Sequence, residues 1–114
     1  MIGVNCYSSK DLWTWKNEGI VLPPKKFNMS HDLHVIDVLE RPKVIYNSKT
    51  KQYVMWMHID IANYSKASVG IAISSTPVGP FTYLYSGQPH GYDSRDMTLF
   101  KDDEDGQAYI IYSS

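Results

Sequence analysis

Leu39-Glu40-Arg41-Pro42-Lys43-Val44-Ile45-Tyr46 and Asp93-Ser94-Arg95-Asp96-Met97-Thr98-Leu99-Phe100 carry the reading of the fold. Each places a carboxylate just before or at the start of a strand-like run. Each is followed by a hairpin, from Tyr46 to Tyr53 and from Phe100 to Tyr109. Phe100 lies 54 residues after Tyr46, and Tyr109 lies 56 after Tyr53, so the second hairpin is two residues longer. Repetition of a supersecondary unit at this period marks a propeller or a solenoid. The acids align less well, because Glu40 displaced by the same 54 residues falls on Ser94 rather than Asp96.

Working outward, strands are predicted over residues 4–8, 19–22, 43–47, 53–59, 68–74, 81–85, 97–101 and 108–112. These runs are rich in β-branched and aromatic residues and are separated by turn chemistry. Pro77-Val78-Gly79-Pro80 breaks the ladder, since proline has no N–H to donate. Asp105-Gly106 supplies the positive φ that a hairpin turn needs. No helical period competes over a useful length. The count of two strands, then four, then two reads as an all-β fragment of a β-propeller, built of four-stranded antiparallel blades. Residues 1–22 would end one blade, 43–85 would form a whole one, and 97–114 would begin the next. A β-sandwich is the alternative. Met1 opens almost directly into strand-like sequence, which suggests a missing N-terminal part.

The composition is globular, with 43% hydrophobic and 20% charged residues. Eleven basic and 12 acidic residues give a net charge of −1, so there is no footprint for nucleic acid or an anionic membrane. No apolar run is long enough to span a bilayer. One cysteine, Cys6, excludes an internal disulfide and a cysteine-based zinc site. Asn28-Met29-Ser30 and Asn63-Tyr64-Ser65 are glycosylation sequons.

In a propeller the first strand of each blade lies nearest the axis, which would bring Glu40 and Asp96 to a central funnel. Two carboxylates there suit glycoside hydrolysis, where one protonates the leaving oxygen and another activates water. The plainer reading pairs Glu40 with Arg41 or Lys43, and Asp96 with Arg95, as surface ion pairs. Tyr64, on the loop after Trp56-Met57-His58-Ile59-Asp60, offers a sugar both a stacking face and a hydroxyl. His58 and Asp60, at a strand end, are placed in the same cleft as substrate-binding residues. His31 and His34 are spaced like metal ligands but lack a third, and the acidic run 102–105 lacks calcium-loop spacing. No metal and no cofactor is expected. Trp13 and Trp15 are read as packing between blades.

These strings, with Tyr7-Ser8-Ser9-Lys10-Asp11-Leu12, Tyr53-Val54-Met55-Trp56-Met57-His58-Ile59-Asp60 and Val69-Gly70-Ile71-Ala72, resemble glycoside hydrolase family 43. The nearest branch is the exo-β-1,3-galactanases, and the plant members look most similar. The resemblance implies a five-bladed propeller with inverting chemistry, acting on β-1,3-galactan, an oligo- or polysaccharide partner. By the same resemblance, Asp96 matches the aspartate that modulates the pKa of the general acid. Glu40 matches a glutamate that binds galactose in the cleaved subsite, and Tyr64 a tyrosine lining it. The general acid is expected in a later blade, and the base outside the chain as well. A secretory location, Golgi or extracellular, is expected from the family. A non-catalytic carbohydrate-binding remnant is the alternative function. A WD-type interaction propeller fits least, for want of its short repeat signature.

Overall fold

The computed structural model describes residues 1–114. Eight strands run in chain order: β1 (Val4–Ser8), β2 (Lys16–Leu22), β3 (Val38–Asn47), β4 (Gln52–Asp60), β5 (Ser68–Ser74), β6 (Thr82–Gly87), β7 (Met97–Lys101) and β8 (Ala108–Tyr112). They form three antiparallel sheets in the orders β1-β2, β3-β4-β5-β6 and β7-β8. The one helical piece is a 3-10 turn at Pro89–Gly91. No helix is long and apolar enough to cross a membrane. The all-β, part-propeller reading therefore stands.

The hairpin repeat is visible in the ladders. Tyr46 faces Tyr53 across β3 and β4, and Phe100 faces Tyr109 across β7 and β8. Their ring centroids lie 4.9 and 6.3 Å apart, within the range of favourable aromatic pairs. Gly106, at φ 71°, closes the second hairpin by donating its N–H to the Asp102 carbonyl.

Strand β3 begins five residues before its predicted start. The sheet absorbs Pro42 in a bulge. Glu40 pairs with His58 and Lys43 with Trp56, so Arg41 and Pro42 together oppose Met57. Arg41 takes a positive φ of 53° there. The ladder needs no N–H at the bulged residue, so proline is tolerated.

The core lies between the first two sheets. Val4, Val21 and Leu22 meet Met55, Met57, Ile59 and Ala72, with Leu33 and Phe81 closing the ends. Strand β4 is covered on both faces over Met57–Asp60, so burial there runs continuously, with apolar Met57 and Ile59 on one face and polar His58 and Asp60 on the other. The 76–80 turn ties the sheets together, since the Phe81 N–H donates to the Val21 carbonyl at 2.8 Å. The loop before β3 is strapped down by Asp32, which accepts from Lys66 and from the Tyr83 hydroxyl.

Gly70 faces Met57 across β4 and β5. A Cβ there would lie 2.6 Å from Ile59 Cγ1 and 3.2 Å from both Met57 and Tyr83. Gly70→Ala is therefore expected to cost about 2 kcal/mol by overpacking. Denaturant unfolding of the protein carrying this segment measures it, and an unmoved midpoint would mean the Ile59, Met57 and Tyr83 side chains make room freely.

Candidate functional site

The bulge in β3 delivers two side chains in different directions. Glu40, before it, stands directly opposite His58 on β4. Its Oε1 accepts a 2.7 Å hydrogen bond from the Tyr64 hydroxyl. Arg41, within it, reaches forward to the residue just before β7, where its Nε donates to Asp96 Oδ1 at 3.0 Å. The Arg41 and Asp96 side chains are 59% and 68% exposed, so this pair adds little stability and mainly sets direction.

Tyr64 sits at a positive φ of 57°, which a bulky residue adopts only when its surroundings enforce it. Three anchors do so. Its N–H donates to the Ile61 carbonyl at 2.8 Å. Asp60 Oδ1 accepts from the Ile61 and Lys66 N–H groups, both at 2.9 Å, and so pins both ends of the turn. Arg95 Nη2, from the segment leading into β7, donates to the Tyr64 carbonyl at 3.0 Å. The Tyr64 phenol pKa is raised, chiefly by its hydrogen bond to Glu40, with burial and the charges of Glu40 and Asp60 adding to it.

His58 and Asp60 lie beneath this pair. As alternate residues of β4 they share a face, and they are 1% and 0% exposed. His58 Nε2 and Asp60 Oδ2 are 2.8 Å apart. Burial opposes ionisation of Asp60. Hydrogen bonds from His58 and from the backbone N–H groups of Ala67, Ile61 and Lys66 outweigh it, and its pKa falls below the ordinary value. His58 Nδ1 faces Glu40 Oε2 at 3.4 Å but lies off the line of a hydrogen bond.

The segment before β7 is clipped onto the Tyr64 turn. The Ser94 N–H donates to the Ala67 carbonyl at 2.9 Å, with Ser94 fully buried. Arg95 also pairs with Asp93 at 3.2 Å. A shallow cleft of about 500 Å³ runs between β3 and β7, bordered by Arg41, Lys43, Asp96, Thr98, Tyr112 and Ser113. A larger hollow of about 880 Å³ opens beside Met1, Pro23 and Phe27, but no carboxylate lines it.

Of the residues singled out in the sequence, Glu40 and Tyr64 touch, and Asp96 joins them through Arg41. His58 and Asp60 are a correction. Their side chains are sealed below the surface, so they cannot contact a sugar directly. The ion pairs expected between sequence neighbours are also replaced, because Arg41 serves Asp96 while Arg95 serves Asp93 and the Tyr64 carbonyl. Sequence spacing marks these arginines only as counter-charges. The Arg-Pro step that makes the bulge was the available signal for the first of them.

His31 and His34 each use Nδ1 to accept a backbone N–H, from Leu33 and Ile36 respectively. Trp13 and Trp15 are 87% and 55% exposed, so the expected packing between blades is not made within these residues. Leu12, at a positive φ of 62°, bends that segment away.

The chain's backbone matches known enzymes closely. An exo-β-1,3-galactanase of Phanerochaete chrysosporium, solved with galactose, superposes with a TM-score of 0.90 at 44% identity, over 96% of this chain and 25% of that one. The chain belongs to glycoside hydrolase family 43. A family 43 β-1,3-galactosidase solved with galactodeoxynojirimycin matches 98% of this chain and 46% of its own, at 36% identity and a TM-score of 0.87. The exo-β-1,3-galactanase of Clostridium thermocellum matches 97% of this chain and 26% of its own, at 42% identity and a TM-score of 0.83. The chain thus spans about a quarter of the length of the galactanases it matches. No protein-family model matches it, and no curated protein does.

Proposed function

We propose that this family 43 segment forms the galactose-holding wall of a site that hydrolyses terminal β-1,3-linked galactose from galactan. The observation that carries the reading is the Glu40–Tyr64 hydrogen bond, with Asp96 held alongside by Arg41. In this reading Glu40 accepts from a galactose hydroxyl, and Tyr64 orients Glu40 and lines the subsite. Asp96 presents a negative charge to a general acid supplied by a later blade. An inverting reaction also needs a second group to activate water on the opposite face of the sugar. Neither that group nor the proton donor is assigned within residues 1–114. The secretory pathway, Golgi or extracellular, is the proposed location.

Two of five blades leave sheet edges open and the acid missing. The purified 114-residue segment is therefore expected to release no galactose from β-1,3-galactobiose. The complete enzyme is expected to release it with inverted configuration at the anomeric carbon. Release by the segment alone would overturn the reading of it as a partial site. A complete enzyme that is inert to the disaccharide would overturn the substrate.

The Asn63 side chain adjoins Tyr64 and is exposed. A glycan there would stand over the subsite, so this sequon is expected to be unoccupied in the secreted enzyme. Peptide mapping by mass spectrometry decides it, and full occupancy would move the sugar away from Tyr64.

A further inference from the structure

We propose that Asp60 and His58 are positioning residues, which hold Glu40 and Tyr64 in the one arrangement that grips the sugar. The proposal rests on the reading of this site as a galactose subsite. The two oxygens of Asp60 do different jobs. Oδ1 takes the Ile61 and Lys66 N–H groups and fixes the turn that presents Tyr64. Oδ2 takes His58 and fixes the plane of its ring. An ionised carboxylate only accepts, so the proton of this pair sits on His58 Nε2. The ring then has one direction left, and Nδ1 looks at Glu40 Oε2 from 3.4 Å. Glu40 closes the circuit through Oε1 to the Tyr64 hydroxyl. The His58 and Tyr64 rings lie 5.9 Å apart beside it.

A purely structural role does not account for the choice of histidine. His58 is 1% exposed and sits between Met57 and Ile59, where an apolar side chain would avoid burying two polar nitrogens. Its Nδ1 has no hydrogen-bond partner in the structure, and the polar group it faces is the Glu40 carboxylate. Two acceptors repel, so the contact with Glu40 is attractive only with a proton on Nδ1 as well; the imidazolium then stands between two carboxylates, buried Asp60 at Nε2 and half-buried Glu40 at Nδ1.

The test is a double-mutant cycle on the complete enzyme, with kcat/KM measured on β-1,3-galactobiose. His58→Leu, which keeps the packing, is expected to lower kcat/KM about 100-fold, the scale of an ångström's misplacement. In a Glu40→Ala background the same change is expected to cost no more than about twofold, since no carboxylate is left to position. Equal losses in both backgrounds would overturn the proposal. Should His58→Leu fail to fold, His58→Asn goes through the same cycle. A second readout needs no activity: the ring ¹⁵N shifts of His58 are expected to move on Glu40→Ala, and unchanged shifts would overturn the link. A wild-type enzyme that ignores the disaccharide while those shifts still move would sink the substrate reading and leave the relay standing.

Discussion

Asp96→Asn in the complete enzyme is expected to lower turnover about 10²- to 10³-fold, the range that separates a tuned general acid from an untuned one. KM should change little, because asparagine keeps the shape and an oxygen for Arg41 Nε. The pH profile separates this from simple damage. A neighbouring carboxylate raises the pKa of an acid and keeps it protonated. Removing that charge lets the acid lose its proton at lower pH, so the basic limb of the profile should move to lower pH. Asp96 is 68% exposed and leans on Arg41, so it is free to turn toward an incoming group. Unchanged turnover, or a limb that does not move, would strip Asp96 of the role.

Asp60→Ala is expected to be among the most destabilising single changes in the segment, at about 3 kcal/mol. Three donors lose their acceptor at once: His58 Nε2 and the Ile61 and Lys66 N–H groups. A buried donor left without a partner costs about 1–3 kcal/mol, and partial relaxation keeps the sum below the simple total. The pH dependence has a definite sign. Folding holds the Asp60 pKa below its ordinary value of 3.8, so the ionised form is favoured in the native state. Its contribution is fully present above about pH 4 and is lost as the pH falls through the lowered native value. The gap in unfolding free energy between wild type and Asp60→Asn should therefore be constant at neutral pH and narrow on acidification below that point. A gap that widens there would mean Asp60 is not ionised in the native state.

What the sequence made legible follows from which forces are local. Residues 4–8, 68–74, 97–101 and 108–112 form strands with the predicted bounds, because side-chain type and flanking turn residues decide them. The Tyr46–Phe100 correspondence is legible for the same reason. The first part of β3, residues 38–42, is not legible as strand, because the bulge that carries Arg41 and Pro42 is defined only by pairing with β4. The poor alignment of the two acids was real: Glu40 precedes that bulge, whereas Asp96 directly precedes β7. Burial of His58 and Asp60 was illegible. Polar residues at a strand end normally face water, and here residues 61–67 fold back over them. An imidazole embedded in the run Val54–Ile59 was the hint. The crossed arginines join residues 55 and 31 positions apart, beyond the reach of any local pattern.

Those arginines have a consequence for how substrate and architecture depend on each other. Arg41 leaves the four-stranded sheet to hold Asp96, and Arg95 comes back from the next sheet to hold the Tyr64 turn. The two links run in opposite directions across one seam. Any swing of one sheet against its neighbour lengthens both together, and it pulls the aspartate and the tyrosine apart as it does so. The distance between Asp96 and Tyr64 is thus a gauge of the angle between adjacent sheets. In the proposed reading, a sugar gripped by Glu40 and Tyr64 on one side of the seam meets an acid tuned by Asp96 on the other, so stiffness of the seam becomes accuracy of proton delivery.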